Sequence, residues 1–241
     1  MSRVVAMKSF LLASIVVSGT VLFAHHLRDE PFVAEVIDSI RPDQPRPDFV
    51  WPPKLDEPYP DLNLVDQTGN LTRLSDFKGQ VILVEPIGLP CAACQAFCGG
   101  HQVGGFRGVE PQPGLPSIKE SARLYGKFDL SDERIVKVYL LLYGMDMRAP
   151  TPSDARAWAD HFGMDRSKNE IVLTGLPSMM GDQSFAMIPG VHLVDRNFIL
   201  CVDSAGRSDQ THDLYRDLLP RARALHDGSS NPHRRFVVVD K

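Results

Sequence analysis

The chain has 241 residues, 43% of them hydrophobic, with a formal net charge of −4. That length, less its N-terminal segments, suits one domain with insertions. The charge leaves no basic footprint for nucleic acid, and no P-loop, dinucleotide fingerprint or G-x-S-x-G elbow occurs.

Arg3 and Lys8 precede an uncharged stretch, Ser9 to Ala24. This pattern predicts an export signal peptide or an uncleaved membrane anchor over residues 1–24, with the remainder outside the cytoplasm. Residues 25–60 include a proline-rich run from Arg41 to Pro60. They read as a semi-rigid linker, with Phe49 and Trp51 placed to pack on the domain edge. The compact domain is expected over 61–227, followed by a tail over 228–241.

Leu62 and Leu64 on one side and Leu71 on the other flank the turn Gln67-Thr68-Gly69-Asn70, which predicts a β-hairpin. Leu74 to Gly79 reads as one helical turn closed by glycine. Gln80 to Glu85 lacks polar alternation through Val84, as a strand covered on both faces does. Cys91-Ala92-Ala93-Cys94 follows, leading into the helix formers Gln95, Ala96 and Phe97. Cysteines spaced this way at a helix start can close a small disulfide ring. The unpaired N–H groups of the first turn favour a thiolate at Cys91, and the thiolate is the form that attacks disulfides.

Gly99 to Pro116 is rich in glycine and proline and reads as an irregular surface insertion beside the cysteines. Ser117 to Glu120 matches a capping box, with Ile118, Ala122, Tyr125 and Phe128 as the apolar stripe behind it. Arg134 to Tyr143 is a second strand. Ser153 reads as the cap of a helix burying Ala155, Trp158, Ala159 and Phe162. A short strand at 170–173, a hairpin of 191–194 and 198–202, and a last helix over 209–226, kinked or broken at Pro220, complete the series. Strands alternating with helices imply an α/β fold with a mixed sheet flanked by helices.

Two stretches carry a family likeness. Tyr59-Pro60-Asp61-Leu62-Asn63-Leu64 with Gly69, Leu74 to Gly79, Val81 to Val84 and the Cys91–Cys94 motif form the first. Ile188-Pro189-Gly190-Val191-His192-Leu193-Val194-Asp195 forms the second. Together they resemble the thioredoxin-like superfamily, and its exported redoxin branch of TlpA-like and peroxiredoxin-related proteins, over roughly residues 61–225. The resemblance implies a thioredoxin-like fold with an N-terminal β-hairpin extension and an insertion after the Cys-x-x-Cys helix. It implies a cis-proline at Pro189 lying against the dithiol, keeping metal ions off it, with the Ile188 backbone free to pair with a substrate chain. Pro90 would flank the substrate. Cys91 would be the nucleophile and Cys94 the buried resolving thiol. Glu85, six residues before Cys91, takes the place of a buried acid that accepts the Cys94 proton, against a plain reading as a strand-end residue reaching solvent. The implied activity is an extracytoplasmic thiol-disulfide oxidoreductase without a bound cofactor. Its partners would be cysteine-containing exported proteins and a membrane dithiol donor.

The likeness has departures. Pro90 stands where the family usually has an aromatic, and the Ala-Ala spacer lacks its common proline. Val84 and Gly88 occupy the places where a peroxiredoxin needs Pro and Thr or Ser, so peroxidase activity is disfavoured. Cys98 reads as a buried thiol or a pairing partner for Cys94 or Cys201; Cys201 reads as a core residue of a strand. Cys91, Cys94, Cys98 and His101 also form a C-x2-C-x3-C-x2-H series. It would suit zinc or copper(I), and the alternative function is a Sco-like copper metallochaperone. His192 stands one residue too late for the distant histidine of such proteins. Met179, Met180 and Met187 read as gap fillers of the core.

Overall fold

A computed structural model describes residues 49–204 and 212–228 of the chain. The expected signal or anchor, most of the linker and nearly all of the tail lie outside these residues. Among the described residues, no helix is long and apolar enough to cross a membrane.

Seven strands form two sheets among the described residues. β1 (Asn63–Val65) and β2 (Leu71–Arg73) make the expected hairpin, with Val65 opposite Leu71. Its turn needs the left-handed backbone that Gly69 supplies, at φ 88°. The main sheet has the order β5-β4-β3-β6-β7. These strands are β3 (Val81–Gly88), β4 (Ile135–Tyr143), β5 (Glu170–Thr174), β6 (His192–Val194) and β7 (Leu200–Asp203). β3, β4 and β5 run parallel, and β6 and β7 are antiparallel to their neighbours. Every residue of β3 and β4 is buried, so both faces are covered, as their unbroken apolar runs require. β3 continues three residues past Glu85. Pairing with β6 stops at Val84, so Pro86 sits where β4 alone lies alongside, and its missing N–H is tolerated there.

The helices cover the two faces. α1 (Ala92–Phe97) carries Cys94, and α2 (Gly100–Val103) follows it. α3 (Ile118–Ser121) widens into a π-helical turn over Ala122–Gly126. α4 (Pro152–Phe162), α5 (Asp182–Ala186) and α6 (Leu219–His226) complete the set. One cluster joins Ile82, Val84, Val138 and Leu140 to Trp158 of α4 and to Cys94. The other joins Val81, Leu83 and Leu193 to Ile118, Ala122, Leu219 and Ala222. The edge strand β5 is not left bare. Gln67 of the hairpin turn donates from Nε2 to the Glu170 carbonyl at 2.7 Å and accepts from the Val172 N–H at 2.9 Å. A side-chain amide thus occupies part of an otherwise open ladder.

Several expectations need correction. The folded domain starts before Asp61. Tyr59 N–H donates to the Phe198 carbonyl and Leu200 N–H to that of Glu57. Phe49 and Trp51 pack on the first cluster, as expected of them. The insertion is more ordered than a surface loop, because Phe106 is buried against Trp158 at 5.1 Å between ring centres. Tyr125 is exposed: the π turn rotates it off the stripe and puts Gly126 at the buried position. A β-carbon at residue 126 would come within 2.5 Å of the Phe128 ring, so a side chain there would collide with it. The cap of α4 is Thr151, in a reciprocal box with Asp154, because Pro152 fits the first helical position and leaves Ser153 inside. Pro220 opens α6 rather than kinking it, just after a π turn over Leu214–Leu218. Residues 209–211 of the expected last helix lie outside the described residues.

Candidate active site

β3 delivers the chain to the top of the sheet, and the turn Leu89-Pro90 reverses it into α1. Cys91 N–H donates to the Gly88 carbonyl at 2.9 Å, which holds Cys91 in extended backbone as the cap of α1. Its Sγ accepts from the Cys94 backbone N–H at 3.2 Å. That contact stabilises negative charge on the outer sulfur. The Cys94 Sγ lies 2.6 Å from the Cys91 Sγ, in direct contact with it. Cys91 is half-buried, whereas Cys94 is fully buried. The two therefore differ in access, as an attacking and a resolving thiol must. Burial pushes the Cys94 thiol well above its usual range, helped by the Cys91 sulfur and the charge of Glu85.

Glu85, on β3, is 4% exposed, so it does not reach solvent, and it is near enough to Cys91 and Cys94 to feel their charge. Burial, then the charge at Cys91, push its carboxyl well above the ordinary carboxylate range; the Cys98 thiol acts the other way. The pocket therefore favours one negative charge at a time. A proton leaving Cys94 and arriving at Glu85 keeps that count constant.

A groove of about 610 Å³ opens beside Cys91. Gly88, Pro90, Ala92, Ala93, Ile188 and Pro189 line it around that sulfur. The Ile188–Pro189 bond is cis. Gly88 borders Tyr143, Ile188 and Cys91: a β-carbon there would lie 3.8 to 4.0 Å from them, in ordinary van der Waals contact. Tyr143, Met147, Phe185 and Gln112 extend the groove, and none of its lining residues is charged. The Tyr143 hydroxyl donates to the Gly181 carbonyl at 2.8 Å, and its ring meets Phe185 edge to face. Met147 and Phe185 remain 44% and 42% exposed, an apolar surface next to a reactive sulfur.

The other sequence-selected residues fall elsewhere. Cys98 turns toward Glu85, and His101 turns toward the Gln112 carbonyl at 3.0 Å. The C-x2-C-x3-C-x2-H series does not converge, and among the described residues no group of three or more His, Cys, Asp or Glu is placed to hold a metal ion. Cys201 is buried in β7 and donates to the Leu193 carbonyl. His192 is buried in β6 with Nδ1 2.9 Å from the Tyr59 hydroxyl. Met179 and Met187 are core residues.

Gln95 was legible only as a helix former, yet it is fully buried and ties α1 to its surroundings. Its Nε2 donates to the Leu89 carbonyl at 2.8 Å, and its Oε1 accepts from the Phe106 N–H at 2.7 Å. Gln95→Leu should orphan both backbone groups, costing roughly 2–4 kcal/mol in a denaturant titration. It should also speed amide exchange at Phe106. An unchanged midpoint would show that this side chain does not hold the insertion.

The parallel β3-β4-β5 core, the antiparallel β6-β7 edge, the dithiol at the start of the helix after the central strand and the cis-proline loop across from it define a thioredoxin-like fold. Among solved structures, the chain is similar to a thiol:disulfide interchange protein from Bacteroides sp. (14% identity, 76% of this chain and 96% of that one, TM-score 0.44). It is also similar to the thioredoxin domain of a thiol-disulfide oxidoreductase from Bacteroides vulgatus (15%, 65% and 91%, 0.41). A third is a thioredoxin-family thiol:disulfide interchange protein from Chlorobium tepidum TLS (12%, 74% and 97%, 0.40). No protein-family model and no curated protein matches the chain. These structural likenesses are distant.

Proposed function

We propose that the chain is an extracytoplasmic thiol-disulfide oxidoreductase that exchanges disulfides with cysteine-containing proteins through Cys91 and Cys94. The observation that carries this reading is the Cys91 sulfur lining an uncharged groove together with Ile188 and Pro189, with the buried Cys94 sulfur 2.6 Å from it. In the reducing direction, the Cys91 thiolate attacks a partner disulfide. A mixed disulfide forms, and one partner sulfur leaves as a thiolate. Cys94 then gives its proton to Glu85 and attacks the Cys91 sulfur. The Cys91–Cys94 bond forms, the partner's second sulfur departs with the electron pair, and solvent protonates it. Two electrons pass to the partner, and a membrane dithiol donor would return them. Run backwards, the same steps oxidise a partner. Export is supported by Arg3, Lys8 and the uncharged stretch that follows them. Val84, buried beside β6, and Gly88, in the groove lining, supply no hydroxyl for peroxide, which supports exchange over peroxidase chemistry.

Equilibration of the full chain with defined ratios of reduced and oxidised dithiothreitol, followed by alkylation of free thiols, tests this reading. One reversible two-electron transition confined to Cys91 and Cys94 is expected. Failure of these two cysteines to titrate together would end it.

A further inference from the structure

Cys98 is the residue that the exchange chemistry leaves unused. It caps the C-terminal end of α1, four residues after Cys94, and its N–H donates to the Cys94 carbonyl at 3.0 Å. One helical turn thus fixes its position relative to the resolving thiol. Its Sγ lies 3.8 and 4.0 Å from the two oxygens of Glu85, within the range of a thiol–carboxylate hydrogen bond. The thiol is suited to donate: burial and the nearby carboxylate keep it protonated. Its other side borders a separate hollow of about 410 Å³, lined also by Phe97, Gln102, Lys119 and Tyr139. That hollow shares no lining residue with the dithiol groove.

We propose that Cys98 is a positioning residue, whose thiol donates to the Glu85 carboxylate and sets how readily that carboxylate takes the Cys94 proton. The inference rests on the exchange reading and deepens it. Glu85 accepts a proton from Cys94 only when ionised. A donor held against the ionised form favours it over the neutral acid. Without that donor, the carboxylate ionises at higher pH, and resolution of the mixed disulfide slows at neutral pH. Other groups around the acid are Cys91 at the cap of α1, Cys94 on α1, and Tyr139 and Lys137 on β4. Tyr139 feels the charges of both Glu85 and Cys98. Lys137 borders the same small void as Glu85, but its ammonium donates to the Leu130 carbonyl at 2.8 Å. Neither places a hydrogen-bond donor on the carboxylate in the way Cys98 does.

The test is rapid mixing of the reduced full chain with dithiobis-nitrobenzoate over a range of pH. The first release of thionitrobenzoate reports attack by Cys91. The second reports attack by Cys94 on the mixed disulfide, with thionitrobenzoate leaving on the electron pair. Cys98→Ala should shift the pH limb of the second release upward and slow it severalfold near neutrality, as loss of one hydrogen bond to a charged group implies. Cys98→Ser keeps a donor and should return the limb toward that of the unaltered chain. In a Glu85→Gln background, Cys98→Ala should add no further change. Coincident limbs for Cys98→Ala and the unaltered chain would overturn the proposal, as would a shift that persists without the carboxylate. Absence of a second release from the unaltered chain is a different result: it would remove the exchange reading itself.

Discussion

Cys91→Ser should reduce disulfide exchange to the uncatalysed level, a loss of at least about a thousand-fold, because no other thiol among the described residues lines the groove to carry the covalent intermediate. Cys94→Ser should lose turnover as well, but in a different way. Its Cys91 still attacks, and nothing displaces the partner, so mixed disulfides accumulate and can be isolated. The asymmetry follows from access: Cys91 lines the groove, and Cys94 lies fully buried beneath it. Mass spectrometry of the trapped adducts reads the result. Trapping by Cys91→Ser in place of Cys94→Ser would invert the assigned roles.

Glu85→Gln should raise stability and slow catalysis together. In the folded chain, burial makes Glu85 hold its proton to higher pH than it would when unfolded. The folded state then binds more protons than the unfolded one across that interval. Stability must fall as pH rises from the ordinary carboxylate range through the raised folded value. Glu85→Gln has no proton to lose, so its advantage is absent at low pH and grows as pH rises. A gain on the order of 1–3 kcal/mol at the alkaline end is the usual size for relieving a poorly compensated buried charge. The amide cannot accept the Cys94 proton, so the resolving step should slow by about 10²- to 10⁴-fold, the range of a lost general base. Thermal melts at several pH values and the resolution rate test both parts. A flat stability difference would mean that Glu85 carries no strained proton equilibrium, and an unchanged rate would mean that the proton goes elsewhere.

The sequence made the central strands legible because β3 and β4 are apolar without interruption, a pattern that both-sided burial produces. It made the dithiol legible because Cys-x-x-Cys stands between such a strand and helix formers. Glu85 could be marked by its spacing from Cys91, but its burial could not be read locally: the continuation of β3 through Pro86 depends on how far β6 extends along it. The groove was the least legible part. Tyr143 and Met147, Phe185, and Gln112 come from three separate segments, and only the packing of those segments brings them to one sulfur. Gln95 and Cys98 were hidden for a similar reason. Each sits in a short helix whose letters indicate helix, while its role comes from a backbone or carboxylate contributed by a distant segment. The misplaced Tyr125 shows a different limit. A single π turn breaks the 3.6-residue period that the stripe assumed.

The segment ahead of the sheet has a mechanical implication. Trp51 donates from its indole nitrogen to the Ser184 hydroxyl at 2.7 Å, and the next residue, Phe185, is a wall of the groove. Load applied to the polypeptide upstream of Trp51 would therefore reach the wall beside Cys91 through this bond as well as through the packing of Phe49 and Trp51 on the core.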